Sequence, residues 1–286
     1  MANRTIAKKA MGILRFFRTQ VWVWVALLVG LVITAGPFVW MVSTSFKVPA
    51  QQFDGALFPA TVTLQNYVRL FTSAPYLLAE VYNSLEVSVL STVGQVLTCA
   101  MAGFAFSVFQ FKGRNLLFGI LLLTLTIPPQ VTLIPNFIIF SHLGLIGTKI
   151  PLWIVSFLGG AFGTFLLRQY FASIPFELAE AARMDGASLI RIFVRVYFPL
   201  AKPALSALAI LTFTGSWNEL IRPLVYLPSN QKLTTLTVGL SLYQAQYSGQ
   251  WAFLMACAVI SILPILLVFL VAQRQIIEGS ALTGIK

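Results

Sequence analysis

The residues of this chain with the types and spacing for specific chemistry gather in one charged island. From Pro175 to Pro203 it reads Pro-Phe-Glu-Leu-Ala-Glu-Ala-Ala-Arg-Met-Asp-Gly-Ala-Ser-Leu-Ile-Arg-Ile-Phe-Val-Arg-Val-Tyr-Phe-Pro-Leu-Ala-Lys-Pro. It is a charged, helix-prone stretch in a chain that is otherwise mostly apolar. Basic and amphipathic between two apolar spans, it must lie in water on the cytoplasmic side and has the makings of a docking surface. Pro175 suits the first turn of a helix, and Glu177 and Glu180 fall where the amide dipole favours negative charge. Leu178, Ala181 and Ala182 are helix formers, and Gly186 permits the left-handed turn that ends a short helix. A second helix is predicted from about Ser188 to Tyr197, with Ile192 and Val196 on one face and Arg191 and Arg195 on another, ended by Pro199. The plainer alternative is an amphipathic connection resting on lipid headgroups.

Elsewhere the parts for catalysis are sparse. His142 is the single histidine and falls in a short turn. Cys99 and Cys257 lie inside apolar stretches and read as core residues. No metal-ligand spacing is present. No G-x-x-x-x-G-K-[ST] phosphate loop occurs, and Gly147-Thr148-Lys149 lacks the pattern. The chain is therefore not expected to bind and hydrolyse ATP itself. An ion-driven carrier would bury ionisable groups near mid-membrane, yet only Glu80, Glu86 and Glu219 come close to the spans, near their ends. Energy supplied by a partner protein fits better.

The elements that must position the island are membrane spans. The chain has 286 residues, 58% hydrophobic and 9% charged, against about 25% charged in a soluble domain. Six stretches have about the length a bilayer needs: 21–42, 84–109, 116–140, 150–167, 204–220 and 251–272. The net charge of +11 forms no basic domain, which argues against nucleic acid. With the N-terminus inside, the inner connections hold fourteen of the nineteen Lys and Arg, and the outer ones hold Lys47, Arg69, Lys149, Arg222 and Lys232. That bias places both termini in the cytoplasm. The basic head and apolar run at the N-terminus read as a retained first span with an amphipathic leader, since the run is too long for a signal core. The expected layout is an all-α protein: a leader over 1–20, a six-helix region over 21–272 with the island at 175–199 as a two-helix loop, and a cytoplasmic tail over 273–286.

Here the sequence resembles a known family. Glu180-Ala181-Ala182, then Asp185-Gly186-Ala187, Phe193 and Pro199, look like the EAA loop of ATP-binding-cassette importer permeases. The run Pro37-Phe38-Val39-Trp40-Met41-Val42-Ser43-Thr44-Ser45-Phe46-Lys47 is similar to the end of the first span in carbohydrate-uptake permeases of the maltose-transporter type. Asn66-Tyr67, Asn83-Ser84-Leu85, Ile127-Pro128-Pro129-Gln130, Ile134-Pro135, Trp217-Asn218-Glu219 and the tail motifs Gln273-Arg274, Glu278-Gly279 and Gly284-Ile285-Lys286 continue the likeness. It covers nearly the whole chain from Gly36 on, and points to the shorter, six-span partner of a permease pair with the type I importer fold.

The resemblance implies a mechanism and partners. A second, homologous permease completes the pore, two ATPase subunits carry ATP and Mg, and an extracytoplasmic solute-binding protein delivers a sugar. This chain would hold no cofactor, and would lie in the inner membrane. Glu180, Ala181, Ala182, Asp185, Gly186 and Ala187 would dock the ATPase. Candidate pathway residues are Gln95, Gln130, Asn136, Trp217, Asn218, Glu219 and Tyr243. Gln244, Gln246, Tyr247 and Trp251 add aromatic faces and amides around a last outer loop, about 226–250, which is also a candidate contact for the binding protein. For each of these the alternative role is helix–helix hydrogen bonding or interfacial anchoring. At the level of function, an ion-coupled secondary carrier, a membrane scaffold and a permease for a non-sugar solute are the other readings.

Overall fold

The computed structural model describes residues 2–227 and 231–283. Among these the chain is helical, and the one β-bridge pairs Lys47 with Val62. The helices are α1 (Ala2–Ser45), α2 (Gln65–Ser73), α3 (Leu77–Val108), α4 (Arg114–Leu123), α5 (Pro129–His142), α6 (Ile150–Trp153) and α7 (Ala161–Ala172). They continue as α8 (Glu177–Met184), α9 (Leu189–Ile192), α10 (Phe198–Leu200), α11 (Lys202–Trp217), α12 (Ile221–Tyr226), α13 (Leu236–Gln246) and α14 (Trp251–Thr283). Among the described residues, four helical stretches are long and apolar enough to cross a membrane, and up to six if each of two sharply bent pairs counts as one span.

Several span boundaries differ from expectation for identifiable reasons. The second begins at Leu77, not Ser84, because the polar run Glu80, Asn83, Ser84 is buried inside the protein rather than left outside the helix. The third is two helices meeting at 99°. Consecutive prolines cause the break: each disfavours helical backbone in the residue before it, and both Ile127 and Pro128 are extended. The fourth is interrupted by a 3-10 segment, Ile154–Leu158. The fifth stops at Trp217, with Asn218 as its C-cap. The leader and first span form one unbroken helix, and the helix of the last span runs on to Thr283. Gly284-Ile285-Lys286 lies outside the described residues.

The chain divides into two compact units, residues 1–72 with 247–259, and 73–246 with 260–286. In the first, the segment after α1 is tied down by side chains. Lys47 is fully buried, with Nζ bonded to Asp54 Oδ1 at 2.7 Å and to the Ala56 carbonyl at 2.5 Å. A buried ammonium is tolerable only when paired in this way, and the Lys47 hydrogen bond in turn holds the Asp54 carboxyl below its ordinary value. Asn66 Nδ2 donates to the carbonyls of Ser45 (2.9 Å) and Lys47 (2.8 Å), and Ser45 Oγ meets Tyr67 Oη at 2.7 Å. Arg69 donates to Gln250 Oε1 at 2.9 Å and lies over the Phe253 ring. Within this unit the apolar stretch of α1 from Val21 to Val42 has no buried residue.

The second unit is built on α3, packed against α7 and α11. The α3–α7 approach depends on Gly103, where a Cβ would lie 2.9 Å from the backbone nitrogen of Arg168 and 3.0 Å from Leu167 Cβ. Small residues that let backbones meet are the usual adhesive between helices in lipid, where the hydrophobic effect does not drive association. Gly103→Leu is therefore expected to lower stability by about 1–3 kcal/mol through overpacking. The check is the thermal unfolding of the detergent-solubilised protein; a variant that melts with wild type would refute the close approach.

Candidate functional site

The charged island folds into an elbow whose two arms are α8 and the α9–α10 run. Glu177 and Glu180 occupy the first turn of α8 and Arg183 the last, each matched to the helix dipole. The helix ends in a Schellman motif. The Gly186 N–H donates to the Arg183 carbonyl at 2.9 Å and the Ala187 N–H to the Ala182 carbonyl at 3.0 Å. Gly186 has φ +75°, where an L side chain is strained. Ser188 opens the second arm as an N-cap, its Oγ accepting from the Arg191 N–H at 3.4 Å.

Beyond Ile192 the structure departs from the expected helix. Phe193–Tyr197 is a π-helical turn in which the Phe198 N–H reaches the Phe193 carbonyl. Pro199 does not end the run, which continues to Leu200. An α-helix would need the Pro199 N–H for the Arg195 carbonyl and would drive the ring into it; the widened turn just before the proline accommodates both. The chain then turns by 78° into α11.

One face of the elbow is bound into its own protein. Ala179, Ile192 and Tyr197 are buried with Phe104, Leu167, Phe171 and Leu205 in one apolar cluster. Phe104 is its hub, with ring centroids 5.0 Å from Tyr197, 5.1 Å from Phe193 and 6.3 Å from Phe171. Ala182 and Ala187 are half-buried against this cluster. Glu180, Ala181, Asp185 and Gly186 are exposed. Of the six docking candidates, four thus face outward and two lean on the core. Sequence reasoning missed the apolar tips beside them: Met184 is 88% exposed and Ile190 76%. Both side chains stand where a helix facing only its own core would carry polar groups, and that mismatch was the available signal. Glu180, Asp185 and Arg191 are exposed as well, so apolar and charged side chains together reach the surface of the elbow.

The pathway candidates are dispersed. Gln95 is half-buried, donates to Cys99 Sγ at 3.5 Å, and fills the space beside Gly160. Gln130 is exposed just past the proline bend and Asn136 is half-buried in α5. Trp217 is buried, stacks on Phe213, and donates Nε1–H to the Ser261 carbonyl at 3.1 Å. Asn218 is exposed, and Glu219 accepts from Arg222 Nε at 3.1 Å and its backbone N–H at 3.3 Å. Tyr243 is buried, and its hydroxyl lies 3.1 and 3.0 Å from the two Glu80 carboxylate oxygens. This pair lines a cavity of about 710 Å³ that none of the other six candidates reaches. The expected loop over 226–250 contains the helix α13, Leu236–Gln246. Gln244 and Gln246 are exposed on it, while Tyr247 packs on Phe253 in the first unit.

Asn83 and Ser84 hold the wall of that cavity. Asn83 Nδ2 donates to the carbonyls of Lys232 (2.9 Å) and Thr234 (3.0 Å), and Ser84 Oγ accepts from the Leu236 N–H at 2.8 Å. Lys149 Nζ donates to Asn83 Oδ1 at 2.9 Å and pairs with Glu86.

A family profile described as "Binding-protein-dependent transport system inner membrane component" matches residues 94–278. The arabinooligosaccharides transport system permease protein AraQ of Halalkalibacterium halodurans is 36% identical over 228 residues, covering 80% of this chain and 81% of that one. The lactose transport system permease protein LacG of Rhizobium radiobacter is 30% identical over 243 residues, 85% of this chain and 88% of that one. Among solved structures, a chain of a bacterial ABC transporter involved in the import of the acidic polysaccharide alginate superposes with TM-score 0.78 and 27% identity, covering 88% of this chain and 95% of that one.

Proposed function

The chain belongs to the family of binding-protein-dependent transport system inner membrane components, and from that premise we propose that it is the sugar-translocating permease of an ATP-binding-cassette importer, driven by separate ATPase subunits. The observation that carries the coupling half of this reading is the elbow. Its outer face is an exposed apolar knob with charged neighbours, and its inner face is locked to α3 and α7 through Phe104, Tyr197 and Phe171. A push on the knob is thereby a push on two spans. Such a part is a lever, and a lever needs a motor. The ATPase pair, carrying ATP and Mg, supplies it from the cytoplasmic side.

The remaining partners follow from the same reading. A binding protein delivers cargo outside. A second, homologous permease shares the pore, and the unburied face of α1 from Val21 to Val42 is apolar surface suited to that partner or to lipid. Both termini lie in the cytoplasm by the Lys and Arg bias. The sugar assignment rests on the arabinooligosaccharide and lactose permeases among its relatives.

The test is reconstitution. Proteoliposomes holding the full complex, with ATP on the ATPase side and the binding protein on the other, are expected to accumulate labelled saccharide only when both are present. Uphill uptake by this chain alone under an ion gradient would overturn the proposal and install the secondary-carrier reading.

A further inference from the structure

We propose that the cavity between the start of α3 and α13 is a subsite for a polyhydroxylated ring, with the Glu80 carboxylate accepting hydrogen bonds from neighbouring hydroxyls of the ligand. This rests on the sugar reading above and adds to it a site carried by this chain alone.

Glu80 is 3% exposed and makes no ion pair among the described residues. Its side-chain partner is the Tyr243 hydroxyl, within reach of both oxygens. A phenol has one hydrogen to give. A carboxylate offers about four lone-pair sites, more than one phenol hydrogen fills. Burying a carboxylate this sparsely partnered is costly, and it is a poor choice for packing alone. α13 approaches the carboxylate closely at Gly239, where an added Cβ would overlap it.

The rest of the lining fits a sugar better than an ion. Tyr76 and Leu242 offer apolar faces for the ring, and Gln246 offers further polar atoms. About 710 Å³ is within the usual range for small-molecule sites, about 300–1,000 Å³. A cation site would want several oxygen ligands of like charge, and among the described residues no three His, Cys, Asp or Glu gather. The wall is preorganised, because Asn83 and Ser84 fix the 232–236 backbone from below. Rigid placement of few polar groups is what makes such a site selective. The cavity sits at the end of α3 that the charge bias puts outside, where cargo arrives first.

The test uses the assembled complex in nanodiscs without the binding protein, with radiolabelled lactose, trehalose and arabinobiose as probes in equilibrium dialysis. E80Q is expected to weaken retention of the transported sugar by about 10- to 100-fold, as leaving buried hydrogen-bond partners unsatisfied does. Should E80Q not assemble, L242W, which fills the cavity from an apolar wall, is expected to abolish retention instead. Retention unchanged in both variants while the wild type still transports sugar overturns this site and leaves the sugar reading intact. A sodium requirement lost in E80Q with sugar retention untouched overturns it in favour of a cation. A wild-type complex that neither retains nor transports any of the three overturns both.

Discussion

Replacing Gly186 by proline is expected to leave the protein inserted in the membrane while reducing uptake by about two orders of magnitude. Gly186 sits at φ +75°, and its N–H donates to Arg183. Proline has φ fixed near −65° and no N–H, so it can neither adopt the turn nor close the cap. A non-glycine residue forced into that region costs about 1–3 kcal/mol. A shift of about 3 kcal/mol against the docked geometry of the elbow corresponds to about a hundredfold. Space is not the obstacle, because a Cβ at Gly186 would meet nothing within 4 Å. The effect must then come from backbone conformation, which supplies a control. Gly186→Asn, which tolerates the left-handed region, should retain most uptake. The measurement is ATP-dependent uptake beside ATP hydrolysis in proteoliposomes. Normal uptake by the proline variant would remove the elbow from the mechanism.

How far the elbow and its supports could be read from residues alone differs from part to part. The Glu177, Glu180 and Gly186 pattern is local, and local rules for dipole and cap placed the first arm correctly. Pro199 misled, because a proline stops an α-helix only if the turn before it cannot widen, and whether a π-turn is affordable depends on what Phe193 and Tyr197 pack against. The same limit applies at Pro128 and Pro129. Their sequence predicts a kink; that the two halves separate by 99° depends on neighbours the sequence does not name.

The polar residues of the spans were the least legible. Gln95, Trp217 and Tyr243 look alike to a reading that asks only whether a polar or aromatic group sits in an apolar run. The structure gives each a different setting: Gln95 against Gly160, Trp217 bonded to Ser261, Tyr243 on Glu80. Glu80 itself was visible as an acid near a span end. Its pairing with Tyr243, 163 positions along the chain, has no sequence signature. Asn83 and Ser84 resembled a family motif before their work was apparent. That work is to pin a backbone about 150 positions away, and no rule of periodicity expresses it.

Phe104→Ala is expected to sever the elbow from the spans. Phe104 is buried at the meeting point of α3, α7 and the π-turn, in contact with Phe193, Tyr197 and Phe171. Truncating a buried Phe costs about 3–5 kcal/mol in a well-packed core, so the thermal midpoint should fall clearly. Stability loss alone would not identify a lever, and the informative quantity is sugar transported per ATP hydrolysed. On the proposed coupling, a rigid connection that is loosened lets the motor turn without moving the spans. Residues along such connections shift coupling by about 0.5–2 kcal/mol, or about 2- to 30-fold. Phe104→Leu separates the two effects. It refills most of the volume and should recover stability, since conserving volume in a core costs under about 1.5 kcal/mol. It does not restore the edge-on ring contacts with Tyr197 and Phe171, so transport per ATP should remain low. If the leucine variant recovers stability and coupling together, the aromatic hub is packing alone and motion reaches α3 and α7 by another route. If stability returns and coupling does not, the stroke passes through Phe104.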